Sequence, residues 1–191
     1  MGMKLLRLAN RLERNVNERP KIARRISLDL AREWRKVAKR PHATGDRKSG
    51  SLRLEDALSR EIVELLRPHA NVLTRDTTRL KELFGIRFEA DILIESKDSA
   101  REPVSVISLK TTLATGELKQ AIGEAYVLGK LAGQHRRKLR YYLVVTHRAY
   151  DRAKAVNVAI DISKRYLHGV YALTQPPYVD KLFDKLRRMY S

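Results

Sequence analysis

The sequence predicts an α/β fold: a central mixed β-sheet flanked by helices, with a helical appendage at the N-terminus. Three observations predict it. Apolar residues recur at helical spacing in the first 39 positions and again across 54–65. Two β-rich runs, 86–95 and 103–110, follow one another across the polar connection SKDSARE. A helical stretch at 115–131 then leads into RYYLVVT at 140–146, the strongest buried-strand pattern in the chain.

Taken in order, residues 1–39 read as two helices parted at 17–20. Leu5, Leu8, Leu12 and Val16 stripe the first; Ile22, Ile26, Leu30, Trp34 and Val37 stripe the second. Trp34 reads as a core residue rather than a base-stacking one. The segment PHATGDRKSGS at 41–51 has two Gly, one Pro and the two cations Arg47 and Lys48, which predicts a basic loop beside phosphate. Leu54, Leu58, Ile62 and Leu65 make an amphipathic helix that ends before Pro68. A short strand is expected at 71–75 and a helical turn at 79–84, stopped by Gly85. The runs at 86–95 and 103–110 then form an antiparallel hairpin. A further helix is expected at 153–166, an edge strand at 169–173 and a terminal helix at 178–189. The order helix, three strands, helix, strand implies a meander followed by a crossover that sets the next strand beside it. The division expected is a helical segment with its basic loop at 1–51 and an α/β core at 52–191.

Bulk properties narrow the function. Forty Lys and Arg against 22 Asp and Glu give a net charge of +18. That field attracts polyanions, of which nucleic acid is the commonest in a cell. The charge is spread along the chain rather than gathered on one amphipathic helix, which argues against a membrane surface. The absence of cysteine excludes disulfides and thiolate metal sites. No apolar run spans a bilayer, and the first twenty residues lack the pattern of a secretory signal, so a cytoplasmic protein is expected.

Within this frame one constellation carries chemistry. Phosphodiester hydrolysis needs a metal to offset charge on the phosphate and a means of activating water. Magnesium takes oxygen ligands and keeps several waters, so two or three carboxylates suffice. Asp91 is a charge inside the otherwise apolar run FEADILIE, where its burial is costly without a partner. In VSVISLK, Ser108 and Lys110 stand two apart and share a strand face. The helix TGELKQAIGEAYVLG carries Glu117, Gln120 and Glu124 along one side, with Leu118, Ile122 and Ala125 as its expected apolar stripe. Structural readings compete: Asp91 as an ordinary salt-bridged carboxylate with Arg87 or Lys110, and Glu124 as a solvated helix residue.

An Asp in one strand followed by a short acid-x-Lys on its hairpin partner resembles the signature of the PD-(D/E)xK nuclease superfamily. Here Ser108 replaces the usual acid, giving Ser-Leu-Lys. In that detail the chain resembles a group of type II restriction endonucleases with CCGG-type or CCxGG-type targets, which take the missing carboxylate from the following helix. Thirteen residues, 111–123, separate Lys110 from Glu124, close to the spacing of that group. The resemblance covers roughly residues 50–147 and implies a restriction-endonuclease-like αβββαβ core. It implies Asp91 and Glu124 as ligands of Mg2+, Lys110 acting on the attacking water, and Glu55 as an accessory acid, with Glu61 competing. Ala90 stands where the signature has Pro. GELK stands where those members often carry an Arg-acid-Arg triplet, so their target is not implied.

The expected DNA contacts are Arg47, Lys48, Arg53, Lys119, Arg136, Arg137, Lys138 and Arg140. The five histidines have no metal-pair spacing and no phosphate-binding Gly-rich loop is present, so zinc and ATP chemistry are not expected. The expected function is a magnesium-dependent endonuclease, a homodimer cutting a short palindrome in double-stranded DNA. A structure-specific nuclease of the Holliday-junction type and a non-catalytic DNA-binding protein are the alternatives.

Overall fold

Each face of one sheet is covered by helices whose apolar stripes come from distant parts of the chain. In the computed structural model, residues 2–39, 47–76, 78–97, 103–113, 115–148 and 163–190 are described. Helices α1 (Gly2–Glu13) and α2 (Lys21–Ala38) are joined through a short 3-10 turn, Val16–Glu18. Then follow α3 (Arg47–Leu66), strand β1 (Ala70–Asp76), α4 (Thr78–Phe84), and strands β2 (Ala90–Ser96) and β3 (Val104–Leu113). Helix α5 (Thr115–Gln134), strands β4 (Leu139–Arg148) and β5 (Gly169–Ala172), and α6 (Val179–Tyr190) complete the described elements.

The strands lie in the order β1-β2-β3-β4-β5. The first three form an antiparallel meander, whereas β3–β4 and β4–β5 are parallel. A parallel partner requires a crossover, and α5 provides it between β3 and β4. This is the mixed, helix-flanked sheet expected from the order of elements, with β5 at an edge. The helix expected at 153–166 falls outside the described residues until Ser163. Of the loop expected at 41–51, residues 41–46 lie outside the described residues, and α3 begins at Arg47, so residues 47–51 lie inside a helix. A single Gly costs a helix about 1 kcal/mol, less than the apolar stripe from Leu54 onward returns on burial. Gly85 ends α4 as expected, at φ 72° with its N–H on the Lys81 carbonyl.

One core lies between the sheet and α1, α2, α3 and α6. It holds Leu12, Leu30, Trp34, Leu58 and Phe183 against Ile92, Ile107 and Val144. Trp34 is 1% exposed, a core residue as its place in the stripe predicts. The second core lies under α4 and α5, with Leu118, Ala121, Ala125 and Leu128 against Val106, Tyr141 and Leu143. Ala121, not Ile122, continues the buried stripe of α5. The N-terminal helices share the first core with the sheet and are fixed to it by polar links. Arg19, buried beyond the end of α1, donates to the carbonyls of Leu12 (2.6 Å) and Arg14 (2.5 Å) and to the Ser27 hydroxyl (2.8 Å). Among the described residues no helix is long and apolar enough to cross a membrane.

Helix α2 lacks a cap of its own, because Pro20 precedes it and has no polar side chain. Asp180, on α6, caps it from a distance: its two oxygens accept from Ile22 N (2.9 Å) and Ala23 N (3.0 Å). These are the orphan donors of the first turn, where a carboxylate also meets the positive end of the helix dipole. Asp180→Ala is expected to lower the unfolding free energy by about 1–2 kcal/mol, read from the urea midpoint at pH 7. An unchanged midpoint would mean that water serves those donors equally well.

Candidate active site

The site is built where backbone pairing around β2 gives out. On one side, the β1–β2 register runs from Ala70↔Ser96 to Thr74↔Ile92 and resumes at Asp76↔Ala90, skipping Arg75 and Asp91. Arg75 has a left-handed backbone, φ 51°, which costs a non-glycine residue of order 1 kcal/mol. On the other side, the β2–β3 ladder runs from Ile94↔Ser105 to Ile92↔Ile107 and stops. The next pair in that register would be Asp91 and Ser108. Instead the Asp91 carboxylate accepts the Leu109 N–H at 2.7 Å and lies 3.4 Å from the Ser108 hydroxyl. The side chain thus takes a donor that a continued ladder would have used.

Beyond Ser108 the polar groups continue across the sheet. Glu124, half-buried on α5, accepts from the Tyr141 hydroxyl at 2.5 Å and from Gln120 Nε2 at 2.8 Å. Tyr141 is fully buried on β4, and Ser108 lies near enough to its phenol to lower the hydroxyl's pKa against the rise from burial. Asp91, Ser108, Tyr141 and Glu124 therefore form one connected polar path from β2 to α5. Burial pushes the Asp91 carboxyl above the ordinary aspartate range, and the Glu124 carboxylate adds to the rise. The Leu109 N–H, the Lys110 ammonium and the Ser108 hydroxyl oppose it without prevailing. Burial, then Glu124, also raises the Tyr141 phenol, which stays protonated and donates at neutral pH.

Glu55 enters from the other side of the strand break. It is 4% exposed, and both its oxygens take the Arg75 Nε, at 3.0 and 3.1 Å. The same guanidinium reaches Asp56 at 3.2 Å. Burial raises the Glu55 carboxyl against the pull of Arg75, with the Asp91 charge reinforcing the rise. Glu61 instead pairs with Arg25 of α2. Glu55 lies in the field of Asp91.

The sequence pattern thus brings Asp91, Ser108, Lys110 and Glu124 into one neighbourhood, with Glu55 bordering it. Lys110 is half-buried on β3 and adjoins Asp91 electrostatically. Among the described residues no group of three or more His, Asp or Glu side chains is arranged to hold a metal ion. The basic residues divide. Arg53 is paired with Glu33, and Arg137 lies 3.6 Å from Glu95. Lys119, Arg136, Lys138 and Arg140 are exposed. The side chains of Arg47 and Lys48 lie outside the described residues.

Two members were not picked out from the sequence. Tyr141 had a usable signal, since a tyrosine in a buried strand needs a partner for its hydroxyl. Arg75 had none, because nothing local announces a left-handed arginine. In comparisons with protein-family models, curated proteins and solved structures, nothing matches this chain.

A carboxyl raised in the folded state adds stability below the ordinary aspartate pKa, and that contribution is lost as pH rises through the folded value. Ionised Asp91 therefore weakens the fold at neutral pH. Asparagine keeps an acceptor oxygen for the Leu109 N–H and carries no charge. Asp91→Asn is expected to match or exceed the parent in urea midpoint at pH 7, with flatter pH dependence above about pH 4. A clear loss of stability would show that the ionised carboxylate holds the strands together.

Proposed function

We propose that this protein is a magnesium-dependent endonuclease that hydrolyses phosphodiester bonds in double-stranded DNA. One observation carries the reading: two acidic side chains from different elements, Asp91 and Glu124, joined through Ser108 and Tyr141 and lying in each other's field. Burial raises the Asp91 carboxyl, and repulsion from the Glu124 carboxylate adds to the rise. A divalent cation would relieve it. The oxygen-only donors suit magnesium, with water filling the remaining positions.

Asp91 and Glu124 would hold the ion, which when bound offsets charge on the phosphate and makes its water more acidic. Lys110 orients the attacking water and balances the negative charge that grows as the oxygen attacks. Ser108 holds the Asp91 carboxylate in place instead of adding a third acid. Tyr141 and Gln120 fix the Glu124 carboxylate, and Glu55 with Arg75 borders the site. Exposed Lys119, Arg136, Lys138 and Arg140 supply phosphate contacts for a chain of net charge +18. The proposed assembly is a cytoplasmic two-fold homodimer, which matches two cuts in a palindromic site.

Plasmid DNA and magnesium should yield discrete fragments. Preferential cutting of a four-way junction would instead indicate a structure-specific nuclease. DNA binding indifferent to chelation, with no cleavage under any divalent metal, would overturn the reading in favour of a binding protein. Lys110→Ala should reduce cleavage by about 10²–10³-fold while duplex affinity in a gel-shift assay changes little. Tyr141→Phe should raise the magnesium concentration for half-maximal cleavage by about 10–100-fold, and Lys110→Ala should not.

A further inference from the structure

On the opposite face of the sheet from Tyr141, a cleft of about 340 Å³ opens between the start of β4, the turn before β5, and α6. Arg140, Tyr142, His168, Lys185, Arg188 and Met189 line it. Three of the six are permanent cations, and no carboxylate lines it. Among the described residues, Arg140, Lys185 and Arg188 form no ion pair.

The imidazole completes a donor set. His168 Nδ1 accepts the Tyr141 backbone N–H at 3.1 Å, and the His168 backbone N–H donates to the Tyr141 carbonyl at 2.7 Å. The ring is thereby fixed on β4, with Nδ1 committed as an acceptor. A neutral ring must then carry its proton on Nε2, which has no partner among the described residues. Burial, Arg140 and Lys185 hold the ring below the ordinary histidine range, so it is a neutral donor near pH 7. Lys185 is steadied by the His168 carbonyl at 3.2 Å and lies 5.8 Å from the Tyr171 ring centre. Two guanidinium forks, one ammonium and one N–H around a single opening match the several acceptor oxygens of a phosphate.

We infer that this cleft is a phosphate-binding site, separate from the Asp91–Glu124 site. In the β3–β4 register Arg140 stands opposite Ser105 and Lys110 opposite Val145, five residues further along. That places the two about 16 Å apart along the strands, on opposite faces. One phosphate group cannot serve both. The ligand chemistry is a phosphate dianion or diester, from a free phosphate or from a nucleic-acid strand.

The full chain, in chelator and without magnesium, tests this independently of any cleavage. The His168 ring resonance, assigned by its loss in His168→Gln, is followed by NMR during titration with inorganic phosphate at fixed ionic strength, and separately with a duplex lacking terminal phosphates. Saturable movement of that resonance is expected, with its pH midpoint raised, because a bound anion favours the imidazolium among Arg140, Lys185 and Arg188. Lys185→Gln with Arg188→Gln should weaken the response at least tenfold; both positions are exposed, and the rest of the spectrum reports the fold. Movement with phosphate alone assigns a free ligand, and movement with duplex alone assigns a strand. A resonance still under both probes, or an undiminished response in the double variant, overturns the site. A failed nuclease assay leaves this result untouched.

Discussion

A single backbone donor, the Leu109 N–H, governs much of the site. Given to a strand carbonyl, it would extend the hairpin past Ile92↔Ile107 and close the sheet over the position of Asp91. Given to the Asp91 carboxylate, it parts β2 from β3 and fixes an acidic side chain at the fork. The left-handed Arg75 leaves the other neighbour of β2 unpaired at the same level. An acid flanked by two interruptions is open to a ligand in a way that an acid within an intact ladder is not. Burial makes this arrangement costly, and the cost falls on the carboxylates rather than on the backbone.

The polar path to Glu124 depends on how β3 and β4 are placed. Parallel pairing sets Val106 beside Tyr141, so the phenol on β4 reaches the level of Ser108. Helix α5 buries Leu118, Ala121 and Ala125, and that choice of face brings Glu124 over the Tyr141 hydroxyl. Small residues allow the close approach: two of those three buried positions are alanine. The crossover that makes β4 parallel is thus the same element that delivers the second carboxylate.

Much of this was legible in the residues. Strands and helices follow from periodicity, and RYYLVVT marked a buried strand, β4, because its residues suit burial on both faces. The joint spacing of Asp91, Ser108, Lys110 and Glu124 was readable because hairpin and helix geometry bring those positions together whatever the surroundings. Tertiary choices were less so. The stripe of α5 ran through Ala121 instead of Ile122, since the closest helix–sheet contact favours the smaller side chain. Arg53 and Arg137, taken as phosphate contacts, have acids for neighbours, a fact that only packing decides. Local sequence equally cannot reveal that Arg75 would turn left-handed to meet Glu55.

The cap on α2 has a consequence for how the chain assembles. Asp180 and the N–H groups it serves are separated by 157 and 158 residues. During synthesis α2 emerges early, yet its first turn stays unsatisfied until α6 has been made and docked. The earliest helical pair therefore waits on the latest described helix. Contacts closed over such lengths slow folding. Completion of that helix end depends on the docking of α6, which ties the first core together across the sequence.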